Sequence, residues 1–226
     1  MKHLFTLFVA ILLTSTAFAQ VGINNEKPDV SSALDITSTK GGSIPPRMTT
    51  IQRDAIIPAD TSLTYSIGDV VNGGVVFWLD STSQHGLVCA FSDVANTVEW
   101  GCYGIDLPNV PNVPYNGGNP SGLGAEIGDG FNNTNNILND CPTAPAALAA
   151  RSLGLDWFLP SAKELNQMYV NRETLEGVSG FTAFSNSYWS STEYNSSVAW
   201  SQSFDNGNQN ASNKGYAYDV RAVRAF

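Results

Sequence analysis

The sequence is poor in charged residues, and basic residues are the scarcer kind. Only 14% of the chain is charged, where about 25% is usual. Lys and Arg together number 11 against 20 Asp and Glu, which gives a formal net charge of −9. Because nucleic acids and anionic lipids attract basic surfaces, this acidity argues against both as partners.

Long apolar runs are also lacking. The run at residues 4–13 is shorter than the roughly 20 residues of a membrane-spanning helix, and no later stretch approaches that length, so we expect no transmembrane segment. Lys2 and His3 precede the run, and A-F-A at residues 17–19 follows it. This pattern predicts a signal peptide over residues 1–19, cleaved after Ala19, and therefore a secreted or cell-surface protein. The mature chain would carry ten basic and twenty acidic residues.

Cysteine is scarce, and its odd count leaves one residue unpaired. Cys89 lies inside the apolar run HGLVCAF, which favours a buried free thiol. Cys102 and Cys141 lie in loop-like sequence, the latter before Pro142. Because an exported chain meets an oxidising environment, we predict a disulfide between Cys102 and Cys141 that closes a long loop.

Residues that support catalysis are scarce as well. The mature chain has one histidine, His85, beside Gly86 at a predicted turn, and no G-x-S-x-G motif accompanies it. A Ser-His-Asp site and a zinc site are therefore disfavoured. A hydrolytic enzyme built on paired carboxylates is less favoured than either an adhesion domain or a structural module. Its candidate acids are Glu164, Glu173, Glu193 and Asp205.

The remaining sequence divides into an arm and a domain. Residues 20–65 form an extended N-terminal arm, since Gly41-Gly42 and Pro45-Pro46 exclude regular helix or central strand. Residues 66–226 form the domain, in which 73–80 and 85–91 read as a hairpin and 101–140 as a long loop. Short strands follow at 187–191, 198–204 and 217–226.

Two helices are predicted between the long loop and the later strands. Thr143 is a candidate cap for the first, Pro145 suits its opening turn, and Gly154 is placed to end it. Ser161 and Glu164 form the S-x-x-E pattern of a capping box at the start of the second. The order of hairpin, loop, helices and strands predicts the α+β class.

Several motifs in this order carry a family resemblance. GGVVFWLD, EWGC, AEIGDGFNNT, DWFLPSAKELNQM, YWSSTEY and the terminal VRAVRAF together resemble the C-terminal domain of bacterial collagen-like adhesins, the Lcl type. The resemblance implies a C-type-lectin-like domain with two helices packed on short antiparallel sheets and a recognition loop. It also implies pairing of the first and last strands, residues 73–80 with 219–226. A homotrimer that binds acidic polysaccharide is implied too, although the net charge opposes that ligand.

A second resemblance concerns residues 21–56. VGINNEKPDVSSALDITSTKGGSIPPRMTTIQRDAI is similar to a segment at the start of many bacterial surface and tail-fibre-like proteins, where it precedes trimeric or extended modules. The sulfatase-activating oxidases, a related lectin-like enzyme group, work through cysteines near the C-terminus. This chain has none beyond Cys141, so that activity is not carried over.

Lectin-like domains often bind Ca²⁺ through oxygen-rich loops. Two Asn/Asp-rich stretches, at residues 128–133 and 203–210, supply the candidate metal ligands Asp129, Asn132 and Asp205. Asn and Asp that merely form turns are the alternative interpretation. No other cofactor is predicted.

The stretch YWSSTEYNSSVAWSQSF combines core and surface features. We expect its Trp189 and Trp200 to be interior, together with Trp78, Trp100 and Trp157, because rings of this size supply core area. Polar residues after the tryptophans are expected on loops, free to contact a ligand. These candidates are Glu193, Tyr194, Asn195, Asp205, Asn206, Asn208 and Asn210.

The first hypothesis is accordingly an exported, non-catalytic adhesion domain that recognises carbohydrate or another cell-surface molecule through these loops. The alternative is a structural module that caps a surface fibre and binds no small ligand.

Overall fold

The computed structural model describes residues 21–23, 34–36, 63–115, 117 and 119–226. The chain divides into two units, residues 1–59 and 60–226. In the first unit, β1 (Val21–Ile23) pairs in parallel with β2 (Leu34–Ile36). The predicted signal peptide and most of the arm lie outside the described residues, and the predicted boundary at residue 66 stays a prediction.

The second unit combines short strands with helices, so the predicted α+β class is confirmed. The structure describes four helices where two were predicted. The strands are β3 (Val70–Val71), β4 (Gly74–Leu79), β5 (Gly86–Cys89), β6 (Ala95–Val98), β7 (Ser187–Asn195), β8 (Val198–Ser203), β9 (Gln209–Asn213), β10 (Tyr218–Val220) and β11 (Val223–Ala225), and the helices are α1 (Asp129–Asp140), α2 (Pro145–Arg151), α3 (Ala162–Val170) and α4 (Arg172–Glu176).

A four-stranded sheet has the order β11-β5-β4-β3. The predicted hairpin is β4–β5, but the last strand pairs with β5, where Val223 lies opposite Cys89, and not with β4 as expected. The reason is a second hairpin. Asn72 and Gly73 both have positive φ, 49° and 82°, as a two-residue hairpin turn requires. The turn folds β3 onto the free edge of β4, so β5 offers the edge that β11 takes.

A five-stranded sheet has the order β6-β10-β7-β8-β9. Strands β7, β8 and β9 form an antiparallel meander, with Trp189 opposite Ser201 and Trp200 opposite Ala211. Strand β10 runs parallel to β7 and antiparallel to β6. The ends of β8 are therefore marked by two turns, one from β7 and one to β9.

Helix α3 begins at the predicted capping box. The Ser161 hydroxyl accepts from the Glu164 amide, and the Glu164 carboxylate accepts from the Ser161 amide at 2.7 Å. Helix α2 has Pro145 in its first turn as expected, but Ala144 stands at its N-cap, so Thr143 is not the cap. The helix ends at Arg151, before Gly154.

Helix α1 occupies residues that were predicted as loop. Its Asn-rich sequence has little intrinsic preference for helix, and tertiary contacts stabilise it instead. The buried side-chain amide of Asn133 donates to Gly124 O at 2.7 Å and to Ser191 Oγ at 3.2 Å. The buried Thr134 hydroxyl donates to Gly130 O and accepts from the Leu159 amide.

The predicted disulfide is present between Cys102 and Cys141, with 6.2 Å between the two Cα atoms. It ties the start of the long loop to the end of α1. Cys89 is free and buried, as expected. Burial raises the pKa of its thiol to about 12.

Four of the five tryptophans, Trp100, Trp157, Trp189 and Trp200, are buried as predicted, whereas Trp78 is only half-buried because it stands near the end of β4. Each of three buried indole N–H groups donates to a backbone carbonyl, which satisfies the polar atom of a core ring. Within the described residues, no helix is long and apolar enough to cross a membrane.

Candidate functional site

Glu193 was expected on a loop, and this expectation is wrong. It lies in β7, is fully buried, and forms an ion pair with the equally buried Lys214. The Lys214 ammonium also donates to Ile105 O at 3.1 Å and lies 4.6 Å from the centre of the Trp100 ring. Burial raises the pKa of Glu193 despite the adjacent ammonium, and it lowers the pKa of Lys214. Because the long loop covers this pair, Glu193 is not accessible to a ligand.

Tyr194 and Asn195 complete β7 and are half-buried. The Tyr194 ring centre lies 6.0 Å from that of Trp200. The Asn195 side-chain oxygen accepts from the Ser197 amide at 2.9 Å in the β7–β8 turn. Both residues thus serve local packing and turn formation, and each keeps part of its surface exposed.

Asp205, Asn206 and Asn208 are exposed in the β8–β9 turn, and Asn210 is exposed on β9. The Asn206 side-chain oxygen accepts from the Asn208 amide at 3.0 Å. Because the two turns lie at opposite ends of β8, a six-residue strand of about 20 Å, the predicted ligand-binding residues do not form a single site.

The predicted metal ligands are not brought together in an oxygen-rich loop. Asp129 and Asn132 belong to α1, so the interpretation of residues 128–133 as a loop is wrong. The Asp129 carboxylate accepts from the amides of Gly124 and Glu126 at 2.7 and 3.0 Å. Among the described residues, no three side chains of His, Cys, Asp or Glu are placed to hold a metal ion together.

Asp205 lines a cleft of about 450 Å³, which we name the Asp205 cleft. It lies between α4, the segment before β7 and the β8–β9 turn. Its lining residues are Arg172, Glu173, Glu176, Phe184, Phe204 and Asp205. Apart from Glu173 and Asp205, sequence reasoning missed these residues, because they come from separate segments with no local motif.

The half-buried Phe184 ring forms one wall of the Asp205 cleft and rests on the buried Phe204. The rings of Phe184 and Phe204 are stacked, with 4.2 Å between their centres and 25° between their planes. The Glu176 carboxylate accepts from the Phe184 amide at 3.0 Å, which fixes the segment before β7 to α4. This wall is therefore held from the helix as well as from the sheet.

The polar groups of the Asp205 cleft are also held in place. The Arg172 guanidinium donates to Phe204 O and lies 4.9 Å from the centre of the Tyr169 ring. Gly207, at φ 80°, closes the turn so tightly that a Cβ there would lie 2.5 Å from the Tyr169 ring. Three carboxylates and one guanidinium line the cleft, which makes it acidic.

Of the four acids considered for hydrolysis, only Glu173 and Asp205 meet in the Asp205 cleft. Glu193 is buried in its ion pair. Glu164 is buried in the capping box, where it also accepts from the Gly128 amide at 2.8 Å, and burial raises its pKa to about 7. His85 is exposed in the β4–β5 turn and does not line the cleft.

Comparisons with known families support both resemblances found in the sequence. A family model described as the Lcl C-terminal domain matches residues 130–224. A model described as a phage tail like trimerisation region matches residues 22–89. The resemblance to Lcl-type domains and to tail-fibre-like segments is therefore confirmed. The second match extends beyond the predicted arm and includes the β4–β5 hairpin. Both families are adhesin-like or structural in kind rather than enzymatic.

Among solved structures, a fimbrial protein from Bacteroides ovatus is similar, with 17% identity and a TM-score of 0.45. The alignment covers 68% of this chain and 44% of that protein, so this chain spans less than half of its length. No curated protein matches the chain.

Proposed function

We propose that this chain is an exported, non-catalytic adhesion protein whose second unit recognises carbohydrate through the Asp205 cleft. The observation that carries the proposal is the set of carboxylates and the guanidinium that line the cleft beside the half-buried Phe184 ring, which stacks on the buried Phe204. A sugar presents an apolar ring face together with hydroxyl groups. An aromatic ring packs against the apolar face, and fixed charged groups form hydrogen bonds with the hydroxyl groups.

The charge of the Asp205 cleft limits the ligand. Three carboxylates face one guanidinium, and the whole chain is acidic. A sulfated or uronic acid polysaccharide would be repelled, since like charges cost free energy on approach. We therefore propose a neutral or amine-bearing glycan, and not the acidic polysaccharide that the Lcl resemblance implies.

The proposal includes a fold and an assembly. The position of the last strand, β11, in the four-stranded sheet and the loop closed by the disulfide support a variant of the C-type-lectin-like fold. The match to a trimerisation region supports a homotrimer built through the N-terminal part of the chain. A signal peptide over residues 1–19 would export the protein, as the N-terminal sequence pattern predicts.

A glycan array probed with the mature chain, residues 20–226, tests the function. The Asp205→Ala variant should bind its glycan about 10-fold or more weakly, because a hydrogen bond to a charged group is lost. Asp156→Ala is the matched control. Asp156 is exposed, pairs with Arg224 and lies outside the Asp205 cleft, so its loss should leave binding unchanged.

The structural alternative predicts a different result. If the chain forms trimers in sedimentation experiments but no neutral or amine-bearing glycan binds, the proposed recognition is wrong and a fibre-capping module is favoured. Equal binding by wild type and Asp205→Ala would reject the Asp205 cleft as the site.

A further inference from the structure

A second concave surface lies on the five-stranded sheet, where β6, β10 and the start of β7 meet. We name it the Thr97 depression. Its volume is about 190 Å³, and its lining residues are Thr97, Asn186, Ser187, Ala217, Tyr218 and Asp219. A single water molecule needs only about 10–15 Å³ of such space, so the depression has room for a larger ligand.

The backbone of Thr97 is strained. Its φ is 53°, and a β-branched residue rarely adopts a positive φ. Asn or Gly would satisfy the same backbone at lower cost. The Thr97 amide donates to Asp219 Oδ1 at 2.9 Å, and the Ser185 hydroxyl donates to the other carboxylate oxygen of this nearly buried residue. These hydrogen bonds hold the Thr97 backbone in this conformation.

Strained residues of this kind are concentrated at binding and catalytic sites. The register between β10 and β6 is also irregular here, between Tyr218 and Val220. Irregular pairing of two strands turns their side chains in directions that regular pairing does not allow. Together these two features present the Thr97 side chain to the depression, where a regular strand would not.

Polar groups at the rim of the depression remain available. Three side-chain groups make no hydrogen bond to any other residue that the structure describes. They are the hydroxyls of Thr97 and Ser187 and the side-chain amide of Asn186. The Tyr218 ring beside them is fixed, since its centre lies 4.7 Å from that of the buried Trp189. A rigid aromatic ring with neutral donors and acceptors around it suits a hydroxylated ring.

We propose that the Thr97 depression is a second binding site, which takes one neutral saccharide ring. No Lys, Arg or His lines it, which disfavours an anion, and both oxygens of its one carboxylate already accept hydrogen bonds from the protein. The site shares the ligand class of the proposed function but does not depend on the Asp205 cleft. Two sites per chain would allow a multivalent surface protein to bind glycans with increased avidity.

The test uses the mature chain carrying Asp205→Ala, so that the cleft is impaired. Saturation-transfer NMR with methyl glycosides of glucose, galactose, mannose and N-acetylglucosamine is the readout. At least one glycoside should give a signal in this background. Adding Thr97→Gly should reduce that signal about 10-fold, since the hydroxyl is lost, whereas Thr97→Ser should retain most of it.

The melting temperature controls for folding. Glycine adopts a φ of 53° without strain, so Thr97→Gly should be folded and melt at or above the temperature of its parent. No signal in the Asp205→Ala background, or equal signals with and without Thr97→Gly, would overturn the second site. A blank glycan array together with a Thr97-dependent monosaccharide signal would instead reject the Asp205 cleft and support the depression.

Discussion

Glu193 and Asp205 lie near opposite ends of β8 and occupy opposite environments. Glu193 faces the interior because Lys214, from the segment between β9 and β10, supplies a buried countercharge. Asp205 has no such partner among the described residues and remains exposed in a turn. Two acidic residues that lie in similar polar-aromatic sequence therefore have different roles in the protein. One holds the long loop to the sheet, and the other is available at the surface.

The strongest test of this difference removes each acid in turn. Glu193→Ala leaves the Lys214 ammonium buried without its partner, and we expect a loss of about 3–5 kcal/mol in the free energy of unfolding. Asp205→Ala should change it by less than about 0.5 kcal/mol, because the residue is exposed. Urea unfolding at neutral pH measures both values.

A double variant controls for the pair itself. Glu193→Leu with Lys214→Met replaces the two charges by apolar side chains and should recover much of the lost stability, since neither charge then remains unpaired. Equal losses for Glu193→Ala and Asp205→Ala would show that the ion pair does not hold the loop.

The disulfide gives a second, smaller effect on the loop that covers Glu193. Cys102 and Cys141 are separated by 39 residues, and closing a loop of that length is worth up to about 4 kcal/mol in the chain-entropy model. Urea unfolding of the Cys102→Ser/Cys141→Ser variant should show a loss of about 2–4 kcal/mol. Under reducing conditions the wild type should lose the same amount, and a difference that persists there would contradict this account.

A third effect extends the comparison to pH. The pKa of Glu164 rises from 4.5 to about 7 on folding because the carboxyl is buried. The folded chain thus keeps this proton to a higher pH than the unfolded chain. The contribution of Glu164 to the free energy of unfolding is full below about 4.5 and is lost as the pH rises through about 7.

Glu164→Gln is the matched control, because glutamine also completes a capping box. Urea unfolding between pH 4.5 and 7 should show a smaller decline for this variant than for the wild type. Parallel pH profiles for the two chains would show that Glu164 does not hold its proton in the folded state.

The features that were predicted correctly have local sequence signals. Ser161 and Glu164 stand three residues apart, and the β4–β5 hairpin consists of two continuous apolar runs on either side of a turn. Helix α1 was missed because its stability comes from contacts of Asn133 with Ser191 and of Thr134 with Leu159, which lie far along the chain. The partner of β11 was misassigned because Asn72 and Gly73 form a hairpin that occupies β4.

The candidate site was predicted only in part for the same reason. Asp205 was found because Asn and Asp cluster around it in the sequence. Arg172 and Phe184 lie beside it only after folding, so no spacing in the chain indicates them. The strain at Thr97 also has no sequence signal, since it accompanies the irregular pairing of β6 with β10 and a hydrogen bond to Asp219 on that other strand.

The burial of Cys89 has a consequence for oxidative maturation. A thiol with a pKa of about 12 has almost no thiolate at neutral pH, and the thiolate is the form that attacks disulfides. Once the four-stranded sheet that contains β5 has formed, Cys89 is buried and no longer accessible to thiol–disulfide exchange. We therefore expect the odd cysteine neither to exchange with the native bridge nor to cross-link neighbouring copies of the protein.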